Sequence, residues 1–205
     1  MNRTGRGFTL IELAVVLAVV AILLSQAAPA FSAWTRNAQI RTATESIQNG
    51  LMLARSEAIR RNRSVEFWLT STANPLQADW LVGCANPVNS NGAGPVAEAL
   101  GDCPGTRPGA APFNWIQRQL AADQQTTLPQ VAAVDANGNA ATIVTFSSIG
   151  MVTVNADGSN PLAQIDVAIP AMTTGARPLR VLVSGGQVRM CDPQLSLAAD
   201  PRGCQ

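Results

Sequence analysis

Apolar and polar positions are distributed very unevenly along this chain. Seven mostly polar residues, Met1 to Gly7, include Arg3 and Arg6; from Phe8 to Ala28 the chain is then almost continuously apolar. At 1.5 Å per residue, a helix over that run spans roughly 30 Å, the hydrocarbon thickness of a bilayer. The two leading arginines hold the short first segment on the cytoplasmic side, which places the bulk of the chain across the membrane. From Pro29 to about Asn62 the spacing becomes amphipathic and helical. Ile40, Ala43, Ile47, Leu51, Ala54 and Ala58 form an apolar stripe suited to seat on a globular head, and Arg36, Arg41, Glu45, Gln48, Arg55 and Arg60 mostly fall off it. Pro29 removes one helix hydrogen bond and is expected to bend or locally melt the helix. Arg55, Arg60, Arg61 and Arg63 fall in the last two turns, where cations complement the helix dipole.

Beyond residue 64 the chain turns to short runs of β-branched and aromatic residues separated by turn formers. Strands are expected over 65–70, 80–84, 113–120, 126–134, 164–169 and over 142–146 paired with 151–155. A loop rich in Gly, Pro and Asn fills 86–109, and Asp135 to Asn139 reads as a turn. Leu179–Val183 and Gln187–Cys191 flank Ser184-Gly185-Gly186, whose glycines suit a tight hairpin turn with positive φ. One long helix followed by many short strands is an α+β pattern, a helical spine packed on an antiparallel sheet or sandwich.

Composition narrows the function. The chain of 205 residues has no His, so it holds neither a Ser-His-Asp or Cys-His catalytic set nor a His-containing zinc site. Its basic residues are all Arg, and with 14 positive and 13 negative side chains the net charge calls for no acidic partner. No enzyme activity, metal or cofactor is implied. The four cysteines, Cys84, Cys103, Cys191 and Cys204, lack C-x-x-C spacing and read as two disulfides in an exported chain. Sequence-local pairing joins Cys84 to Cys103 and Cys191 to Cys204, with two other connectivities open.

Three readings compete for the apolar run: a secretory signal peptide cut near Ala30, a plain membrane anchor, and a segment processed before the run. Glu12 discriminates. A carboxylate at a spanning helix's centre costs about 2.5–3.5 kcal/mol, and less near the interface. A signal peptide or plain anchor gains nothing from it, whereas an assembling subunit gains a partner for a neighbour's amine in a low dielectric.

Arg6-Gly7-Phe8-Thr9-Leu10-Ile11-Glu12-Leu13 resembles the class III prepilin signal of type IV pilins and type II secretion pseudopilins. That resemblance implies cleavage between Gly7 and Phe8 by a prepilin peptidase, N-methylation of Phe8 by the same enzyme, and neutralisation of a neighbour's amine by Glu12. It also places Pro29 where pilin helices often carry a kinking proline. Leu53-Ala54-Arg55-Ser56-Glu57-Ala58-Ile59-Arg60-Arg61-Asn62, leading into Ser64-Val65-Glu66-Phe67, resembles the helix-to-strand junction of the GspH/FimT family of minor pilins and pseudopilins. The implied organisation is a leader over 1–7, a transmembrane assembly helix over 8–28, an amphipathic helix over 29–63 and a periplasmic β-rich head over 64–205. Its partners are other pilins or pseudopilins, the prepilin peptidase and the inner membrane. Type IV pilus is favoured over type II secretion on the paired cysteines and the 86–109 insert.

Some FimT-type minor pilins bind DNA through a carboxyl-terminal Gly-Arg-x-Arg motif. The corresponding stretch here is Gly186-Gln187-Val188-Arg189, with Gln in place of the first Arg, and Gln releases no counterion. Arg177, Arg180, Arg189 and Arg202 are the residues a DNA contact would use; Asp192 and Asp200 flank them.

Overall fold

A computed structural model describes residues 9–71, 76–85, 115–124, 129–172 and 175–204. The leader, the Gly7–Phe8 junction, Cys103 and the loop expected over 86–109 lie outside these residues.

Helix α1 runs from Leu10 to Arg61, 52 residues, or about 78 Å at the standard rise. It ends where Asn62 takes a left-handed conformation, φ 51°, and its N–H returns to the carbonyls of Ala58 and Ile59. The helix continues through Pro29, which corrects the expectation of local melting there. One missing hydrogen bond does not stop a helix whose neighbouring turns on both sides are intact.

Among the described residues nine strands follow: β1 Val65–Leu69, β2 Trp80–Cys84, β3 Trp115–Gln119, β4 Gln130–Asp135, β5 Ile143–Phe146, β6 Val152–Thr153, β7 Leu162–Ala168, β8 Leu179–Ser184 and β9 Gln187–Cys191. They form two antiparallel sheets, ordered β3-β2-β1-β5-β6 and β4-β7-β8-β9. The carboxyl-terminal half of α1 touches β1, β2 and β5 of the first sheet and β7, β8 and β9 of the second. One apolar core joins all three layers. All six residues of the predicted helix stripe lie in it with no exposure, beside Phe67, Val82, Val144, Phe146, Ile165, Val167 and Val181.

Gly50 lets this packing close. A β-carbon there would come within 2.8 Å of Phe67 Cε2 and 2.9 Å of Trp80 Cδ2. The indole of Trp80 is further fixed by a 2.9 Å bond from its Nε1 to Ser46 Oγ.

The strand expectations hold with adjusted ends. The 179–191 hairpin forms with a two-residue turn, Gly185 and Gly186 at φ 59° and 104°. Within the expected 151–155 segment only Val152 and Thr153 pair. Asn155 instead turns its amide to the Ile143 and Asn160 carbonyls and Ser159 Oγ, which ends the ladder. β4 runs on into Asp135, whose carboxylate caps the following turn through the N–H groups of Asn137 and Asn139.

Candidate functional site

The amino-terminal end of α1 is organised around Thr9 and Glu12. Thr9 is extended, φ −79° and ψ 152°, as an N-cap requires, and its hydroxyl accepts from the Glu12 N–H at 3.3 Å. In return the Glu12 carboxylate accepts from the Thr9 N–H at 3.3 Å, which completes a capping box. Glu12 therefore has a second task beyond the charge pairing read from its position: in the isolated subunit it satisfies its own helix start. The Thr-x-x-Glu spacing is the signal that announces it.

From that cap onward the helix is bare. Large apolar side chains from Leu10 to Leu24 stand 42–88% exposed, and none of the apolar window is buried within the protein. So long a run of apolar side chains facing solvent is stable only in lipid or against the helices of other subunits.

The second half of α1 carries the head. Asn37 fastens the loop between β7 and β8: its Nδ2 donates to the Gly175 carbonyl at 2.8 Å, and its Oδ1 accepts from the Arg177 N–H at 3.0 Å. Pattern reading gave no sign of this clamp, because the partners are about 140 residues apart. Asn37→Ala is expected to expose the Arg177 amide to rapid hydrogen exchange and to cost the head about 1–2 kcal/mol in denaturant titration. At the far end of the helix, Glu57 gathers Arg60 and Arg61. The hydrogen bond from Arg60 leads the effects that lower the Glu57 pKa. The basic cluster there is largely a folded, paired terminus, with Arg55 donating to the Gly150 carbonyl at 3.2 Å.

The carboxyl-terminal cysteines pair as the sequence suggested, Cys191 with Cys204, closing a 13-residue separation. The tail returns along β9, where the Asp192 N–H donates to the Arg202 carbonyl at 2.7 Å. Cys84 is also disulfide-bonded; Cys103, its expected partner, lies outside the described residues.

The four arginines considered for DNA have separate engagements. Arg180 forms an ion pair with Asp166 at 2.6 Å, and Arg202 pairs with Asp200 at 2.7 Å, which holds the Asp200 pKa down at about 2. Arg189 donates to the Cys204 carbonyl at 3.1 Å. Arg177, with its backbone in the Asn37 clamp, lies on the loop before β8. Gly186, the glycine of the altered motif, is buried where an added β-carbon would collide with the Gly150 carbonyl oxygen, so the turn needs it for packing.

A capped, bare apolar half-helix continuous with a half-helix buried in a two-sheet β head defines a pilin-like filament subunit. The chain belongs to the GspH family: the model described as Type II transport protein GspH matches residues 43–187, and the prokaryotic N-terminal methylation motif matches residues 2–25. It is a minor pilin or pseudopilin, of the kind used by type IV pili or type II secretion systems. This family is structural rather than enzymatic in general. Two crystal structures of the Pseudomonas aeruginosa type IV minor pilin FimU are similar. One is 16% identical, covers 75% of this chain and 97% of its own, and has a TM-score of 0.41; the other is 15% identical, with 78%, 97% and 0.43. No curated protein matches the chain. The methylation motif implies processing by a prepilin peptidase and pilin-family partners, and with the apolar helix it points to membrane anchoring.

Proposed function

We propose that this chain is a minor pilin of a type IV pilus. Prepilin peptidase removes residues 1–7 between Gly7 and Phe8 and methylates Phe8. Residues 8–28 then hold the subunit in the inner membrane, with the 64–205 head carried in the periplasm on residues 29–63. During assembly the helix leaves lipid for the filament core, a bend at Pro29 letting its two halves take different directions. A single observation carries this reading: a helix whose large apolar side chains stand exposed from Leu10 to Leu24 carries the carboxylate of Glu12 in its first turn.

Glu12 bonds its own Thr9 N–H at 3.3 Å, the long end of the hydrogen-bond range. A neighbour's Phe8 amine offers a charge-assisted bond in a dry environment, the stronger alternative. Assembly thus exchanges an internal cap for an intersubunit ion pair.

Glu12→Gln separates the two tasks, because Gln also completes a capping box but carries no charge. Incorporation of Glu12→Gln and Glu12→Ala into sheared filaments is expected to fall about tenfold or more, a loss of ~1.4 kcal/mol or greater, with membrane insertion unchanged. Normal incorporation of the Gln variant would end the charge mechanism. Intact mass and amino-terminal sequencing from native membranes should find N-methylated Phe8 first; a chain starting near Phe31 would mean ordinary secretion.

Type II secretion is the second reading, favoured by the description of the family model. Deleting the gene should remove surface filaments and leave exoprotein secretion intact. The reverse phenotype transfers the subunit to the secretion machine.

A further inference from the structure

The apolar run and the head are separated by a short exposed collar. Ile40 is the first helix residue fully buried in the head, and the apolar run closes at Ala28. On the stretch between them Phe31 and Trp34 are each 67% exposed, and their rings pair at a centroid distance of 5.9 Å. Counted from Leu10, the standard rise puts them roughly 32 and 36 Å along the helix, just past a ~30 Å hydrocarbon layer. Aromatic rings concentrate at that depth because one edge is apolar and the other tolerates water.

The head reaches the same level. The Asn37 clamp fixes Gly175 and Arg177 beside the helix, and a β-carbon at Gly175 would lie 4.0 Å from that of Ala33. At 100° per residue, Arg36 projects about 100° to one side of Asn37 and Trp34 about 60° to the other, so the loop is flanked by a cation and an aromatic pair. Among the described residues neither Arg36 nor Arg177 has a carboxylate partner, unlike Arg41, Arg60, Arg61, Arg180 and Arg202. The helix contains no Asp or Glu at all between Glu12 and Glu45. The collar is therefore aromatic and purely cationic.

We propose that Phe31, Trp34, Arg36 and Arg177 form a headgroup-binding collar that seats in the outer interface of the bilayer and takes anionic phospholipid, holding the head against the membrane until the subunit is extracted. This rests on the reading of residues 8–28 as a membrane span. The occupant follows from continuity with that span, from depth and from charge: aromatic rings at the edge of the hydrocarbon and unpaired guanidinium groups at the level of lipid phosphates.

The test uses the full chain in phosphatidylcholine vesicles containing a minority of phosphatidylglycerol. The Trp34 signal is isolated by subtracting the emission of Trp34→Phe. A nitroxide near the headgroup is expected to quench Trp34 more than one deep in the acyl chain or than aqueous iodide. Nitroxide carried on phosphatidylglycerol should quench better than the same label on phosphatidylcholine, by about fivefold for each arginine. Arg36→Gln with Arg177→Gln should bring the two lipids to parity while leaving vesicle flotation intact. Quenching chiefly by iodide, or equal quenching by the two lipids in the unaltered chain, overturns the collar. Failure of the chain to float with vesicles after alkaline washing overturns the span as well, so the two failures are distinguishable.

Discussion

Gly50→Ala is expected to lower the melting temperature of the head by roughly 5–10 °C, although Ala is the better helix former by about 1 kcal/mol. The added methyl has nowhere to go. Its carbon would fall 2.8 Å from Phe67 Cε2 and 2.9 and 3.0 Å from the fused ring atoms Cδ2 and Cε2 of Trp80. Phe67 is fully buried and Trp80 nearly so, so neither ring can swing into solvent. The bond from Trp80 Nε1 to Ser46 Oγ ties the indole to the same helix, which makes retreat cost a hydrogen bond as well. Over-packing of this kind costs about 1–3 kcal/mol, and the lost bond adds about 1 more, which outweighs the gain in propensity. Thermal melts of the detergent-solubilised chain, followed by tryptophan emission, give the size. Phe67→Leu measured in both backgrounds then tests the cause. If the clash is local, the pair couples and the double variant recovers part of the loss; strictly additive effects would mean that Gly50 matters for another reason.

Much of the framework was legible because it is periodic. Ile40, Ala43, Ile47, Leu51, Ala54 and Ala58 repeat at three and four and are the buried face of α1. Trp80–Cys84 and the Gly185-Gly186 hairpin are local patterns bounded by their own turn residues, so their strands fall where the chain says. The assembly end was legible in part: Glu12 stood out as a charge in an apolar run, and its partnership with Thr9 required reading a spacing as well as a residue. What stayed hidden depends on partners distant in sequence. Asn37 is an ordinary polar helix residue until the loop at 175–177 arrives beside it. Arg180 and Arg202 looked like available cations and are paired with Asp166 and Asp200, one across strands and one within the tail. In β1, alternation puts Val65, Phe67 and Leu69 inward and Glu66 outward, where a carboxylate is expected to be wet. The turn after β6 covers that outer face, and Glu66 is only 3% exposed.

Glu66 is where the head's stability should fall as pH rises above 4.5, and its removal is the second large effect expected. Its Oε1 accepts from Thr145 Oγ1 at 3.0 Å and from the Ala156 N–H at 3.1 Å, and its Oε2 accepts from Trp68 Nε1 at 2.9 Å. Burial pushes the Glu66 pKa above its ordinary value of 4.5; these hydrogen bonds oppose the rise, and the nearby Asp157 charge adds to it. Geometry favours the neutral form too. Thr145 Oγ1 also lies 2.9 Å from Asn155 Oδ1, and one hydroxyl proton cannot serve both acceptors. The Asn155 amide is held the right way round by Ile143, Ser159 and Asn160, so its Oδ1 needs that proton. A protonated Glu66 resolves the conflict by donating to Thr145, which then donates to Asn155. The folded state thus binds a proton more tightly than the unfolded chain does. Stability from this group is complete below pH 4.5 and is lost as pH rises through the raised folded value. Asp135, held at about 2 first by the Asn160 amide, acts in the opposite sense, and only below its ordinary 3.8. Glu66→Ala leaves the Ala156 and Trp68 donors without their acceptor and opens a cavity, for an expected loss of about 3 kcal/mol in urea titration. Glu66→Gln keeps the shape, loses one bond because its amide must face one of those donors, and should cost only about 1 kcal/mol. Its diagnostic is the slope: between pH 4.5 and neutrality the unaltered chain should weaken relative to Glu66→Gln. A stability difference between the two that stays constant over that range would show that Glu66 is ionised in the folded head.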